Sequence, residues 1–295
     1  MEISRREIGS ITESDIEAFK VYLYEQERSD ATIEKYTRDV RKFSETIEGR
    51  DTFDKQELLE YKRELIGGYK TSSVNSMLAA VNCYLEFVGA PDLKVKSLKV
   101  QKKLFLDENK ELTRKDYLKL VAAARRLRRP QIAMIMETLA TTGARVSEVR
   151  SFTVEMVRRG TVDIVNKGKE RTIIITNDLR SKVLAYAEEK GISTGEIFVT
   201  RNGRAIDRSG IWKEMKALAC EAGVDANKIY PHNLRHLFAR TFYRLTKNLA
   251  GLADILGHSS ISATRIYTAS PGSSFKKDIS RLDLMAPDSG AQSCA

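Results

Sequence analysis

Apolar residues recur at three- and four-residue spacing through the first ninety positions, the period of helices that bury one face. Ile16, Phe19 and Leu23 form one such stripe behind Ser14-x-x-Glu17, which reads as a capping box opening a helix. Ile33, Tyr36, Val40 and Phe43 form the next, and Leu58, Tyr61 and Leu65 a third that runs up to Gly67-Gly68. Val74, Met77, Leu78, Val81 and Leu85 complete the set, with Cys83 assigned to the same apolar face. These stripes predict a small helical bundle. From Gly89-Ala90-Pro91 to about Asp107 the periodicity fails, as in an interdomain linker. Beyond it, 112–127 and 132–139 read as helices, and Arg145 follows a Gly143 turn at a helix start, where free backbone amides favour an anion. Val162–Val165 and Arg171–Ile175 read as short strands joined through Asn166-Lys167-Gly168-Lys169, a hairpin with lysines at its tip. Helical patterns resume at 178–190, 209–222, 232–245, 249–256 and 273–284, and Pro287–Ala295 reads as a frayed tail. There is no internal repeat. The expected fold is mostly α, an α+β chain with one small β element.

Composition narrows the partner. Fifty Lys and Arg against 40 Asp and Glu give a net charge of +10 over 295 residues, which favours an anionic partner without identifying it. Lys94, Lys96, Lys99, Lys102 and Lys103 crowd the aperiodic segment and are expected to contact phosphates there. Three scattered cysteines fit a reducing interior rather than a disulfide framework. No run approaches the roughly 18 apolar residues of a membrane span, and no apolar stretch follows the N-terminus, so the expected location is the cytoplasm, with no membrane partner.

The chemistry concentrates in the last two thirds of the chain. Thr142-Gly143-Ala144-Arg145-Val146-Ser147-Glu148 is followed by Pro231-His232-Asn233-Leu234-Arg235-His236, then Leu256-Gly257-His258-Ser259-Ser260, then Arg265-Ile266-Tyr267. Two arginines can grip phosphate oxygens bidentately and neutralise their charge in a transition state. A tyrosine hydroxyl with a pKa near ~10 attacks poorly at neutral pH unless a basic neighbour takes its proton, and histidine can do so. His232, Arg235 and His236 fall on one helical face. All three histidines lie in these segments, and no cysteine or carboxylate stands at ligand spacing, so neither a metal nor another cofactor is expected.

In order and in local wording these segments resemble the tyrosine recombinases, the phage-type integrases that include the Xer proteins. The resemblance fills each catalytic slot: Arg145, Lys169, His232, Arg235, His258 and Tyr267. It implies that Tyr267 is the nucleophile giving a 3′-phosphotyrosyl DNA and a free 5′-hydroxyl without ATP, with Arg145 and Arg235 on the phosphate. It further makes His232 a general base or proton mediator and Lys169 the general acid, chosen over Lys167 because the family's lysine directly precedes Glu-Arg. Glu148 is expected to support the site by hydrogen bonding, and His236 to orient its helix or neighbours. Ala144, where a larger apolar residue is common, and Ala269, where a histidine often follows Tyr-Thr, depart from the family's wording without removing a reacting group. Ser29, Thr32, Tyr36, Asp39 and Phe43 look like the family's core-binding helix.

The organisation so implied is an arm at 1–11, a core-binding helical domain at 12–88, a basic linker at 89–108, a mixed catalytic domain at 109–285 and a flexible tail at 286–295, closing as a C-shaped clamp on DNA. The implied function is site-specific recombination between duplex DNA sites by a homotetramer that exchanges C-terminal helices, associated with the nucleoid, and working with accessory proteins or a second recombinase where the system requires them. Two alternatives are a type IB topoisomerase, which relaxes DNA without pairing sites, and a non-catalytic DNA-binding regulator that kept the fold.

Overall fold

The computed structural model describes residues 7–99, 110–166, 169–258 and 264, with Asn166 and Lys169 described by their backbone only. The chain divides between Lys102 and Lys103 into two compact units. Among the described residues no helix is long and apolar enough to cross a membrane.

The first unit carries β1 (Ile8–Gly9), α1 (Glu13–Glu25), α2 (Asp30–Thr46), β2 (Thr52–Phe53), α3 (Lys55–Gly68) and α4 (Thr71–Phe87). Helix α1 opens earlier than the Ser14-x-x-Glu17 pattern predicts. Thr12 is the N-cap, in extended backbone, and its box partner is Asp15, whose carboxylate accepts the Thr12 amide at 2.8 Å. The hydroxyl two positions upstream of Ser14 satisfies the orphan amides, and a shorter aspartate serves where a glutamate was expected. Asp54 and Glu57 form the equivalent box on α3, which continues through the Gly67-Gly68 pair rather than stopping before it. Ile8, in the expected N-terminal arm ahead of α1, pairs with Phe53, after α2, across β1 and β2. Two residues per strand are too few to show a period in sequence.

Helix α4 serves two apolar clusters. Val74, Leu78, Val81 and Leu85 pack with Phe43, Phe53, Leu58 and Leu65, whereas Tyr84 joins Ile16, Phe19, Leu23, Ile33 and Val40. Cys83 is half-buried against this second cluster, contrary to the face assigned from sequence. Two residues of helix turn it by about 200° from Val81, so the two cannot share one stripe. The segment expected to be a linker also begins as part of this unit. Leu93 and Val95 are buried, the Asn82 side chain pairs with both the amide and the carbonyl of Val95 at 2.9 Å, and Asn75 does the same for Leu98.

The second unit carries α5 (Arg114–Arg126), α6 (Pro130–Thr142), α7 (Val154–Arg159), β3 (Thr161–Asn166), β4 (Lys169–Ile174), α8 (Asn177–Glu189), α9 (Arg208–Lys216), α10 (Ala219–Ala222), α11 (Pro231–Thr246) and α12 (Leu249–Leu256). Helix α6 is apolar on several sides and buries Ile132, Ala133, Ile135, Met136 and Leu139, so it forms the centre against which α5, α8 and α11 pack. One helix was expected over 209–222. The chain instead turns at Ala217–Leu218, where the Leu218 amide bonds three residues back to Met215, and Leu218 is fully buried. No glycine or proline marks that break. The hairpin forms in the expected place, with Val162 opposite Ile173 and Ile164 opposite Arg171.

Candidate active site

Helix α6 ends at Gly143, which has a φ of +66°. A Cβ there would lie 2.5 Å from Phe238 Cδ1, so both the backbone and the packing of α11 demand glycine. The turn delivers Arg145 to the start of a 3₁₀ helix over Val146–Ser151. Its backbone amide is not available to an anion, as the sequence suggested, because it donates to Glu148 Oε2 at 2.7 Å. The Arg145 guanidinium donates to Glu148 Oε1 at 2.9 Å and to the Gly257 carbonyl at 3.3 Å.

Pro231 at the first position of α11 starts the helix that carries the second group of candidates. Arg235 is 1% exposed. It donates to the Gly143 carbonyl at 2.6 Å and the Leu256 carbonyl at 2.7 Å, and Nη2 lies 3.1 Å from His258 Nε2. A guanidinium has no lone pair to offer, so His258 Nε2 accepts. That fixes the other ring nitrogen as the donor, and Nδ1–H meets Thr264 Oγ1 at 2.8 Å. The His232 and His236 rings stand edge to face at 4.4 Å. His236 Nδ1 lies 3.7 Å from Glu111 Oε1, and Arg240 holds the other oxygen of Glu111 at 2.7 Å. His236 and Arg240 thus bring α11 against Glu111.

Burial, and then the neighbouring charges of His236, Arg235 and Arg145, push the His232 imidazole down to about 4. Burial with Arg235, Arg145 and Arg171 does the same to His258, also to about 4. Both rings are neutral at pH 7 and keep a lone pair. Among the described residues Arg145 and Arg171 pair with one carboxylate, Glu148, and Arg235 bonds main-chain carbonyls, so the assembly keeps an excess of positive charge suited to an anion.

Sequence reasoning missed three contributors. Arg171 on β4 forms an ion pair with Glu148, 3% exposed, and donates to the Ile255 carbonyl at 2.8 Å. Strand alternation signals it, because position 171 falls on the same face as the buried Ile173. Glu111 lies far from α11 in sequence and carries no local signal. Thr264 hides among the serines and threonines that follow His258.

Of the residues expected from the sequence, Arg145, Glu148, His232, Arg235, His236 and His258 belong to this assembly. Lys169 is in β4, paired with Asn166. Tyr267, Lys167 and the helix expected at 273–284 lie outside the described residues, as do Lys102 and Lys103. Among the basic residues of the linker, Lys94 is paired with Glu86, and Lys96 and Lys99 are exposed.

A model described as the phage integrase family matches residues 110–272, and one described as the phage integrase N-terminal SAM-like domain matches residues 16–90. Tyrosine recombinase XerA of Pyrococcus furiosus is 28% identical over 279 residues, covering 92% of this chain and 94% of its own length. Tyrosine recombinase XerD of Staphylococcus epidermidis is 27% identical over 279 residues, covering 84% and 91%. Among solved structures, a post-cleavage complex of XerH site-specific recombinase with palindromic difH substrate aligns with a TM-score of 0.69 at 18% identity, over 92% of this chain and 85% of that one. A lambda integrase dimer bound to a COC′ core site aligns at 0.70 with 15% identity, over 89% and 77%. At such identities the structural likeness speaks for the fold.

Proposed function

The chain belongs to the phage integrase family and is a site-specific tyrosine recombinase, an enzyme that cleaves and rejoins DNA strands, and from that premise we propose which of its residues carry the reaction. The Tyr267 oxygen attacks the scissile phosphorus, forming a phosphotyrosyl bond as the bond to the 5′-oxygen breaks. Arg145 and Arg235 hold the non-bridging oxygens. What supports them in this role is that Arg235, buried, is held by two main-chain carbonyls before DNA arrives, while the more exposed Arg145 is aimed by Glu148 and the Gly257 carbonyl, so little entropy is lost in gripping the phosphate. His232, neutral because of its surroundings, can receive the phenol proton directly or through water, whereas His258, accepting from Arg235 at Nε2 and donating from Nδ1 to Thr264, steadies the phosphate grip. Lys169 protonates the departing 5′-oxygen. The phosphodiester energy is kept in the covalent link, so religation needs no nucleotide.

The carrying observation is the pair of neutral imidazoles set beside two anchored guanidiniums. A topoisomerase or an idle regulator finds no support among the relatives. In the same reading the substrate is duplex DNA bearing recombination sites, and the exposed Lys96 and Lys99 contact its backbone. Two sites are joined by a homotetramer in which the segment after Tyr267, with Phe275, Ile279, Leu282 and Leu284, docks on a neighbour inside the cell.

The test uses duplexes selected by this protein from a random-sequence pool. Wild-type protein should form a denaturation-resistant adduct on them. Tyr267→Phe should bind with unchanged affinity and form none, because only the attacking oxygen is lost. An adduct with the phenylalanine variant, or none with the wild type, overturns the assignment.

A further inference from the structure

Arg171 is placed where three parts of the site meet. It sits on β4 two positions after Lys169, and strand alternation gives positions 169, 171 and 173 one face. Its side chain, 8% exposed, pairs with Glu148, the carboxylate that holds the amide and the guanidinium of Arg145. Its other terminal nitrogen donates to the Ile255 carbonyl, at the end of α12 and just before His258. Gly257, with a φ of +62°, lies flat against the arginine stem: a Cβ at that position would fall 2.3 Å from Arg171 Cδ. Burying a guanidinium at an inward strand position is a poor route to stability, since an apolar residue like the neighbouring Ile173 serves it better. Its Nε–H, buried, finds no acceptor among the described residues, which adds to that cost.

We propose that Arg171 is a positioning residue that locks the strand bearing Lys169 to the turn bearing His258, so that the leaving-group acid is held in register with the phosphate grip. The proposal rests on Lys169 being that acid. Lys169 opens β4, and β4 is tied to α12 through this side chain. Without the tie, Lys169 keeps its chemistry and loses its place.

Arg171→Lys tests this. Lysine keeps the charge and the stem, but a single ammonium cannot reach Glu148 and the Ile255 carbonyl as a fork does. Single-turnover cleavage is measured on a selected duplex with an ordinary phosphodiester and on the same duplex with sulfur at the bridging 5′ position, whose thiolate leaves without a proton. Arg171→Lys should be slowed on the order of 10²-fold on the ordinary duplex, the cost of misplacing a reacting group by about an ångström, and should come within a few-fold of wild type on the sulfur duplex. The ratio of the two rates does not depend on how much of the variant is folded. An unchanged ratio, or no slowing at all, overturns the proposal. Lys169→Ala runs in parallel. If it is rescued by sulfur and Arg171→Lys is not, only the positioning role falls; if Lys169→Ala is not rescued, the acid assignment itself falls and this proposal falls with it.

Discussion

Replacing Glu148 by glutamine keeps the size and hydrogen-bonding shape of the side chain and removes its charge. Two guanidiniums depend on that charge unequally. Arg145 is 38% exposed on its side chain and can turn to water, so its pair is worth at most about 1 kcal/mol. Arg171 is 8% exposed and cannot, and breaking a buried pair by removing one partner typically costs about 3–5 kcal/mol. The loss should therefore be about 3–5 kcal/mol, a large part of the roughly 5–15 kcal/mol that holds a domain folded. In a unit of this size that corresponds to a fall in midpoint of roughly 10 °C. The assay is thermal and guanidinium unfolding of the wild type, Glu148→Gln, Arg171→Met and the double variant. The double variant should recover at least about 2 kcal/mol relative to the sum of the singles, because it leaves no buried unpaired charge. A Glu148→Gln midpoint within about 2 °C of wild type, or singles that simply add, would refute the view that one buried carboxylate organises the two arginines.

Two further outcomes follow from the same geometry. His232 and His258 are held near about 4 in the folded protein, below the ordinary histidine value, so the unfolded chain takes up protons first as the pH falls. Their contribution is complete above about pH 6.5 and is lost between there and about pH 4, with half-buried His258 carrying more of it than His232, whose side chain is exposed and screened by water; unfolding of the wild type at pH 7.5 and pH 5 should show the fall, and a His232→Gln/His258→Gln double variant should lose that share of it, an identical pH dependence being the contrary result. Gly143→Ala should cost about 2–4 kcal/mol, combining left-handed strain with overpacking against Phe238. A loss below about 0.5 kcal/mol in denaturant unfolding would mean that Phe238 yields freely.

The helical bundle of the first unit and the order of the candidate catalytic residues in the second are legible because each is written in a local pattern. Stripes such as Val74, Leu78, Val81 and Leu85 report a buried face directly. What escapes is pairing over distance. The Asn75 and Asn82 side chains, which draw the expected linker onto α4, are ordinary polar residues until the chain they bond is known. Glu111 becomes part of the site only through α11. Arg171 was readable from the strand period, yet an arginine in an inward position is easily passed over as the polar edge of a hairpin. The earlier start of α1 shows the ordinary ambiguity of caps, where Thr12 and Ser14 both offer a hydroxyl and only backbone conformation chooses.

How three guanidiniums come to stand close together is answered by the acceptors they use. Arg235 bonds the carbonyl of Gly143, at the end of α6, and that of Leu256, at the end of α12. Arg171 bonds Ile255, and Arg145 bonds Gly257, both at the same end of α12. Helix C-termini carry carbonyls without intrahelical partners and the negative pole of the helix dipole, so they satisfy cations while adding no formal charge. Carboxylates in those places would hold the arginines as firmly and cancel the field a phosphodiester needs. With Glu148 the one carboxylate bonded to Arg145 or Arg171 among the described residues, anchoring and neutralisation are separated. Besides burial, the larger cause, the same excess of charge depresses His232 and His258, so a feature suited to an anion also keeps both imidazoles unprotonated at neutral pH. An anion binding among these arginines would offset their field and raise the affinity of both rings for a proton, which under the proposed mechanism makes His232 a better base once a phosphate is in place.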